Sequence, residues 1–394
     1  GLNLNKSTAE RQSFNQSIPG KYDVIDKQYS NDFELEQTSN QVGAIFNYRK
    51  NKNVINFGTR VSAVDFKQTD LNTSKEYNRN FMNWLPQASY QYNFSKQKSL
   101  NFRFNGNSTQ PNLNQIQPIR INTDPLNISL GNPGLRPSFT SNLSLSYNSY
   151  KVLSDKSLYF YGTYGFTSNA IANNTVTDPS SGKSTYQSVN LRDNSPANFY
   201  FYGGYRQKIP GTEVSAGMFM NFSSNTYFNM INNVLNESLS EKYSTTLYIS
   251  RYKQKKIEVF FNIGPAYIIS QSSLQKQINN NGWGVDSYFR FSLHMPRKTQ
   301  ITSDANYLYQ QKTQSFAEDF NRLIWNTTLT KNFLKAESLK LSLTGNDLFN
   351  QNIGFSRRAT SNMISQNSYT TIKRYFLVSL SYDINHMGGT EPKK

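Results

Sequence analysis

The chain is written almost throughout in strict alternation of apolar and polar residues, and it nowhere contains an apolar run of helix-spanning length. Ala88, Tyr90, Tyr92 and Phe94 interleave with Gln87, Ser89, Gln91 and Asn93; Leu100, Phe102 and Phe104 interleave with Asn101, Arg103 and Asn105. Leu143, Leu145 and Tyr147 alternate with Asn142, Ser144, Ser146 and Asn148, and Ile257, Val259, Phe261 and Ile263 with Glu258, Phe260, Asn262 and Gly264. The last such segment sets Phe376, Val378, Leu380, Tyr382 and Ile384 against Ser379, Ser381 and Asp383. Neighbouring side chains on a strand point to opposite faces, so every segment has one greasy and one polar face.

A soluble sandwich alternates too, and length and connections separate the two cases. The segments run roughly 10 to 15 residues, long for a sandwich and right for tilted strands crossing a bilayer. Aromatic residues gather near the ends of the greasy faces, as at Tyr90, Tyr92 and Phe94, in the manner of an interfacial girdle. Short basic links fall at residues 50–53, 95–98, 151–156, 208–213, 253–256, 296–299 and 333–338. Longer polar loops are expected at 67–82, 110–136, 171–196, 227–240, 273–283, 313–319 and 350–369. The two kinds of connection alternate, as tight turns on one rim and long loops on the other require.

Composition fits this reading. Aromatics make up 14% of the 394 residues against only 36% apolar overall, a balance that favours strands over long helices. A mean hydropathy of -0.67 excludes a transmembrane helix and leaves a barrel open, because alternating strands average to an unremarkable value. With no cysteine, disulfide and thiolate chemistry drop out.

The net charge of +17 raises nucleic-acid binding, but its distribution argues against that. Of 42 basic residues, 18 lie in or beside the short links: Arg49, Lys50, Lys52, Lys96, Lys98, Lys151, Lys156, Arg206, Lys208, Arg251, Lys253, Lys255, Lys256, Arg297, Lys298, Lys331, Lys335 and Lys340. A ring of basic turns suits solvation or anionic headgroups better than a nucleic-acid groove.

Catalytic constellations are missing from the text. His294 shares a face with Arg290 and Ser292 and is expected to point into the barrel, while His386 follows the last strand. Gly162, Gly165, Gly203 and Gly204 lie within strands and not before a helix, so they form no phosphate loop. Asp178, Asp193 and Asp286 are isolated and lack calcium-loop spacing. No catalytic, cofactor or metal site is expected, and the protein is read as not an enzyme.

Two stretches go beyond generic barrel text. The segment Gln110 to Tyr147 contains Asn132, Pro133, Gly134, Leu135, Arg136 and Pro137. Further on, Asp347, Leu348, Phe349, Asn350, Gln351 and Asn352 precede Ser356 and Arg357, and Arg374, Tyr375 and Phe376 open the terminal strand. The first resembles the signature of TonB-dependent-receptor-like proteins of the outer membrane protein β-barrel family, and Phe81 to Phe94 resembles that family's strand entering from an extracellular loop. Ser138 departs from the glutamate common in related receptors. The second stretch resembles the family's terminal turn and strand, and together the resemblance covers most of residues 28–385.

The expectation is therefore an all-β, transmembrane, antiparallel up-and-down β-barrel, with about 15–16 strands visible of the twenty-two that the resemblance implies. Residues 1–385 form its C-terminal portion and 386–394 a periplasmic tail. The remaining strands, the plug and any TonB box would lie upstream.

The resemblance implies import of a ligand across the outer membrane of a Gram-negative bacterium. Long loops would be extracellular, and short turns and the C-terminus periplasmic. Gln115, Gln117, Asn122, Tyr186, Asn229 and Asn367 are candidate loop contacts for that ligand. Expected partners are outer-membrane lipid, TonB through an N-terminal region, and surface lipoproteins or other outer-membrane subunits; nucleic acid is not among them. An accessory barrel in a larger complex is the alternative, and a soluble β-sandwich adhesin a third reading.

Overall fold

The computed structural model describes residues 1–26, 30–71, 74–116, 120–124, 126–253, 256–334, 337–359 and 364–384. Strand β1 (Leu2–Arg11) passes through a side hairpin, β2 (Phe14–Ile18) and β3 (Lys21–Ile25), into β4 (Asn31–Lys50). Strands β5 (Asn53–Asp70), β6 (Lys75–Ser95) and β7 (Lys98–Thr109) follow by direct reversals. A one-turn helix α1 (Leu113–Ile116) and the hairpin β8 (Arg120–Asp124) and β9 (Asn127–Leu130) lead to β10 (Ser138–Lys151) and β11 (Lys156–Ser168). A second hairpin, β12 (Ile171–Thr177) and β13 (Ser184–Asn190), precedes β14 (Ala197–Lys208), β15 (Val214–Ile231) and β16 (Val234–Lys253). Next come β17 (Ile257–Ser272), β18 (Gly282–Met295), β19 (Thr299–Gln310), β20 (Phe320–Phe333) and β21 (Leu339–Asn346). A third hairpin, β22 (Ile353–Ala359) and β23 (Ile364–Thr370), stands before β24 (Tyr375–Tyr382).

Among the described residues, without the four hairpins (β2 and β3, β8 and β9, β12 and β13, β22 and β23), sixteen strands form one up-and-down antiparallel wall. Each pairs with the next wall strand in sequence, from β1 with β4 to β21 with β24. The hairpins leave the wall without interrupting it, so β7 still meets β10, β11 meets β14 and β21 meets β24. Among the described residues, β1 pairs only with β4 and β24 only with β21. All eight residues of β24 are exposed.

The register carries the alternation from strand to strand, because directly opposed residues share a face. On the greasy face Phe46 stacks on Phe57 at 5.4 Å and Phe222 on Tyr243 at 4.5 Å, while Val42, Ile263 and Leu380 remain exposed. On the other face hydroxyls and amides pair across strands: Thr140 with Thr167, Thr328 with Thr344, Thr330 with Ser342, each at 3.0 Å, and Asn326 with Asp304 at 2.9 Å. An apolar band outside and a polar face inside is the partition of a membrane barrel. His294 follows this register, sharing the polar face with Arg290 and Ser292, as expected.

At the short-turn rim, the greasy face ends in rings. Tyr92 meets Phe94 edge-on at 4.7 Å, Phe94 approaches Tyr147 at 6.5 Å, and Tyr147 stacks on Phe160 at 5.0 Å. The Lys98 ammonium lies 4.7 Å over Phe94, and that of Lys156 lies 5.0 Å over Tyr205. Basic turns thus cap an aromatic girdle, with long stems lying on apolar surface and charged heads outward.

Two expected loops are strands. Within 67–82, residues 67–70 and 75–82 belong to a ladder that runs to Asp70 opposite Lys75, and within 227–240 the ladder runs to Ile231 opposite Val234. Polar composition suggested loops there, but paired strands can be polar once they stand clear of the apolar band. The second ladder closes on Asn232 and Asn233, with φ of 50° and 64°, a turn with both central residues left-handed that asparagine tolerates. The tail read at 386–394 lies outside the described residues, which end at 384.

The ladder between β6 and β7 stops at Gln87 opposite Asn105, next to Pro86, which has no N–H to donate. Beside it Gly106 is needed for space: a Cβ there would sit 2.4 Å from the Phe139 ring and 3.0 Å from Pro86 Cδ.

The two faces differ in what they tolerate. Ile263→Arg, on the greasy face of β17, should destabilise the barrel by about 2–4 kcal/mol at midplane depth. Ser144→Arg, on the polar face of β10, should cost far less. Guanidinium unfolding of both variants refolded into lipid bilayers checks this, and equal losses would refute the face assignment.

Candidate functional site

The long-loop rim holds a second, smaller structure built from parts of the chain far apart in sequence. β8 pairs with β9, β9 runs parallel to β13, β13 pairs with β12, and β12 runs parallel to the end of β15. Three connections are thereby joined into one strip of sheet, a platform fixed by backbone hydrogen bonds.

Side chains lock this platform to the Asn132–Pro137 turn. Asn132 Oδ1 accepts from the Gly134 N–H at 3.0 Å, while its Nδ2 donates to the Ser188 carbonyl at 2.9 Å. Asn190 accepts from the Arg136 N–H at 2.8 Å and donates to the carbonyls of Arg136 and Asn169 at 2.9 and 3.0 Å. Asn169 donates to the Pro137 carbonyl at 2.8 Å. Below, Ala170, Ala172, Leu191 and Phe228 pack as a small core with Leu235 against it, and Leu135 is buried. Asparagine suits this work because one amide can both donate and accept to peptide groups.

The second signature stretch is bound in the same way. Asp347 is buried and accepts from the N–H groups of Gln351 and Asn352, both at 2.9 Å. The Asn326 amide oxygen receives its N–H at 3.0 Å. Asn352 donates to the Ile372 carbonyl at 3.0 Å, and Arg374 N–H donates to Asn350 at 3.3 Å. These contacts hold the start of β24 against the turn.

The candidate contacts fare unequally. Gln115, in α1, is spent on structure: its side-chain oxygen accepts from Asn112 N–H at 2.9 Å, and its carbonyl accepts from Asn132 N–H at 2.6 Å. Tyr186, on β13, stands at the exposed surface with its hydroxyl donating to Asn127 at 2.9 Å. Asn122 lies on β8, and Gln117 lies outside the described residues. Asn229, on β15, accepts from Asn236 at 3.0 Å. The elements carrying Gln115, Asn122, Tyr186 and Asn229 meet around the platform. Asn367 does not; it is exposed on β23, which among the described residues pairs only with β22.

Asn236 is the residue that inspection of the sequence overlooks. It is fully buried, donates to Asn229 and Ser238, and accepts from the Ser272 hydroxyl at 2.7 Å. It ties the β15–β16 hairpin to the loop after β17, beside a cleft of about 490 Å³ whose lining includes Glu237, Gln271, Gln275 and Lys276. The only sequence signal is a third asparagine shortly after the Asn232–Asn233 turn.

Chemically the rim offers amides, hydroxyls and a phenol, suited to hydrogen-bonding a polar ligand. No group of three potential metal ligands occurs among the described residues. Asp178, at the tip of the β12–β13 hairpin, has its carboxyl held down at about 2 by the hydroxyls of Ser181 and Ser180 and the Ser180 N–H.

Two measurements check this arrangement. Asn236→Ala would strip buried partners from Asn229 and Ser272 at a cost of about 1–3 kcal/mol, seen as faster amide exchange around residues 229–238 and 270–274 with β18–β21 unaffected. The Asp178 carboxyl has a folded pKa below its ordinary 3.8, so its contribution is complete above that value and lost as pH falls through about 2. Exchange at 178–183 should therefore keep its protection at pH 4 and lose it near pH 2, and Asp178→Asn should remove that step.

The wall, its two faces and the two locked turns agree with what comparison finds. The model of the outer membrane protein beta-barrel family matches residues 2–382. No curated protein matches the chain. With nearly its whole length matched, the chain belongs to the outer membrane protein beta-barrel family, and its place is the outer membrane.

Proposed function

We propose that this barrel imports a polar ligand across the outer membrane as a TonB-dependent-receptor-like transporter. The observation that carries the reading is the rim platform. Loops that merely shield a wall have no reason to be joined by parallel strand pairs and cross-braced by Asn132, Asn169 and Asn190. A braced rim over a hydroxyl-lined interior is suited to capture and passage.

In this reading the long-loop rim faces the exterior, and the basic short turns, with the C-terminus, face the periplasm. Lys98 and Lys156 over their aromatic girdle would meet lipid headgroups there. Strands upstream would close the seam between β1 and β24, whose outer edges carry no partner among the described residues; a long bare edge invites aberrant pairing. TonB would act through an upstream region, and surface lipoproteins could dock on the rim. The protein works by binding and passage, without catalysis.

Deleting the gene should abolish protonophore-sensitive depletion of at least one medium component too large for porins, followed by mass spectrometry of spent medium. The wild-type gene should restore it, and a version lacking residues 171–190 should not. If depletion is unchanged while the protein purifies in a stable complex with other outer-membrane proteins, the accessory reading replaces this one.

A further inference from the structure

Besides Tyr161 and Tyr200, which share the face, six aromatic rings form a continuous row across the polar inner face. In wall order they are Tyr159 on β11, Tyr202 on β14, Phe219 on β15, Tyr248 on β16, Phe260 on β17 and Tyr288 on β18. The ladders place all six on the hydroxyl and amide face. Tyr159 lies opposite Gly204, Tyr202 opposite Asn221, Phe219 opposite Gly204 and Thr246, Tyr248 opposite Gly217 and Asn262, and Phe260 opposite Ser250 and Arg290. Successive centroids are 5.5, 6.1, 4.8, 6.1 and 6.2 Å apart. With strands spaced about 4.8 Å, the row crosses roughly 24 Å of wall.

The row is provided for by its neighbours. A Cβ at Gly204 would lie 2.4 Å from the Tyr159 ring, and one at Gly217 would lie 2.4 Å from the Tyr248 ring. At both places glycine leaves room for a ring to lie down across the adjacent strand. As a result Tyr202, Phe219 and Tyr248 lie nearly parallel, with interplanar angles of 12° and 9°. All six rings are half-buried and keep surface toward the interior.

Polar groups on the same face border the row on both sides, two or four residues along each strand from its ring. Toward the long-loop rim stand Tyr200, Asn221, Ser244 and Asn262; toward the short turns stand Ser157, Arg206, Ser215 and Ser250. The Asn221 amide reaches the Tyr200 hydroxyl at 3.4 Å, and the Tyr159 hydroxyl donates to that of Tyr202 at 3.0 Å.

We infer that this row is a binding track for a linear neutral oligosaccharide. A sugar ring has a flat C–H face that packs on an aromatic ring and an equatorial rim of hydroxyls that need donors and acceptors. Flat rings repeated at about the length of one sugar unit, bordered by hydroxyl, amide and guanidinium groups, answer both needs. A purely apolar ligand would strip water from this bordering polar surface without replacing it, which costs affinity, and a strongly ionic one would find more phenyl and phenol than charge. The inference deepens the import reading and rests on it for its physiological role, but binding itself needs no energy source.

The test is isothermal titration of the full-length protein, extracted in mild detergent from its own outer membrane, with maltoheptaose, cellohexaose and xylohexaose. At least one should bind saturably. The double variant Phe219→Ala, Tyr248→Ala should weaken it roughly tenfold or more, whereas Phe222→Ala, Tyr243→Ala on the greasy face should leave it unchanged. Heat-modifiable gel migration verifies that both variants are folded. Absence of binding by all three sugars overturns the inference, as does equal loss in the two double variants. So does a photo-reactive residue replacing Phe219 that cross-links to another segment of the same protein, since that segment and not a glycan would then occupy the track. Uptake of some other compound without sugar binding would sink the track and spare import; sugar binding without uptake would do the reverse.

Discussion

The interstrand backbone hydrogen bond is the constraint on which everything else depends. In hydrocarbon no water can satisfy a peptide group, so strands cross only as neighbours in a continuous ladder. That requirement explains why rim hairpins leave the wall without displacing it: β7 still finds β10, and β21 still finds β24. It also explains where irregularity is allowed. Pro86 ends a ladder rather than interrupting one, and β6 continues beyond it paired to β5 alone.

Once the ladder is set, register does the sorting. A shift of one residue would exchange the two faces of a strand, so the stack of Phe46 on Phe57 outside and the pairing of Thr328 with Thr344 inside are two results of the same alignment. The inner aromatic row is a third. It depends on five successive registers bringing single rings from six strands to neighbouring positions, and on glycines at 204 and 217 that yield space to them.

Above the wall, peptide groups are braced by asparagine and aspartate rather than by lipid exclusion. Asn132, Asn169, Asn190 and Asn236 each spend their amides on main-chain or side-chain partners from other segments, and Asp347 does the same at the start of the last strand. The polar richness of the sequence is therefore partly structural. Gln115 and Asn229, plausible ligand contacts by composition, are held in this bracing, while Tyr186 and Asn367 stand at the surface.

What the sequence by itself determined is what local periodicity can encode: strands, their two faces, the short basic turns, the number of wall strands, and the two signature turns. Phe260 could even be seen as a ring on the polar side of its strand. What only the tertiary structure decided is what register and distance encode. The strand continuations at 67–70, 75–82 and 227–240, the parallel pairings of the rim platform, the burial of Asn236 and the row from Tyr159 to Tyr288 all join residues separated in the chain by reversals or whole hairpins. Alternation tells each strand which face is which; only pairing tells it which residue of its neighbour it will meet.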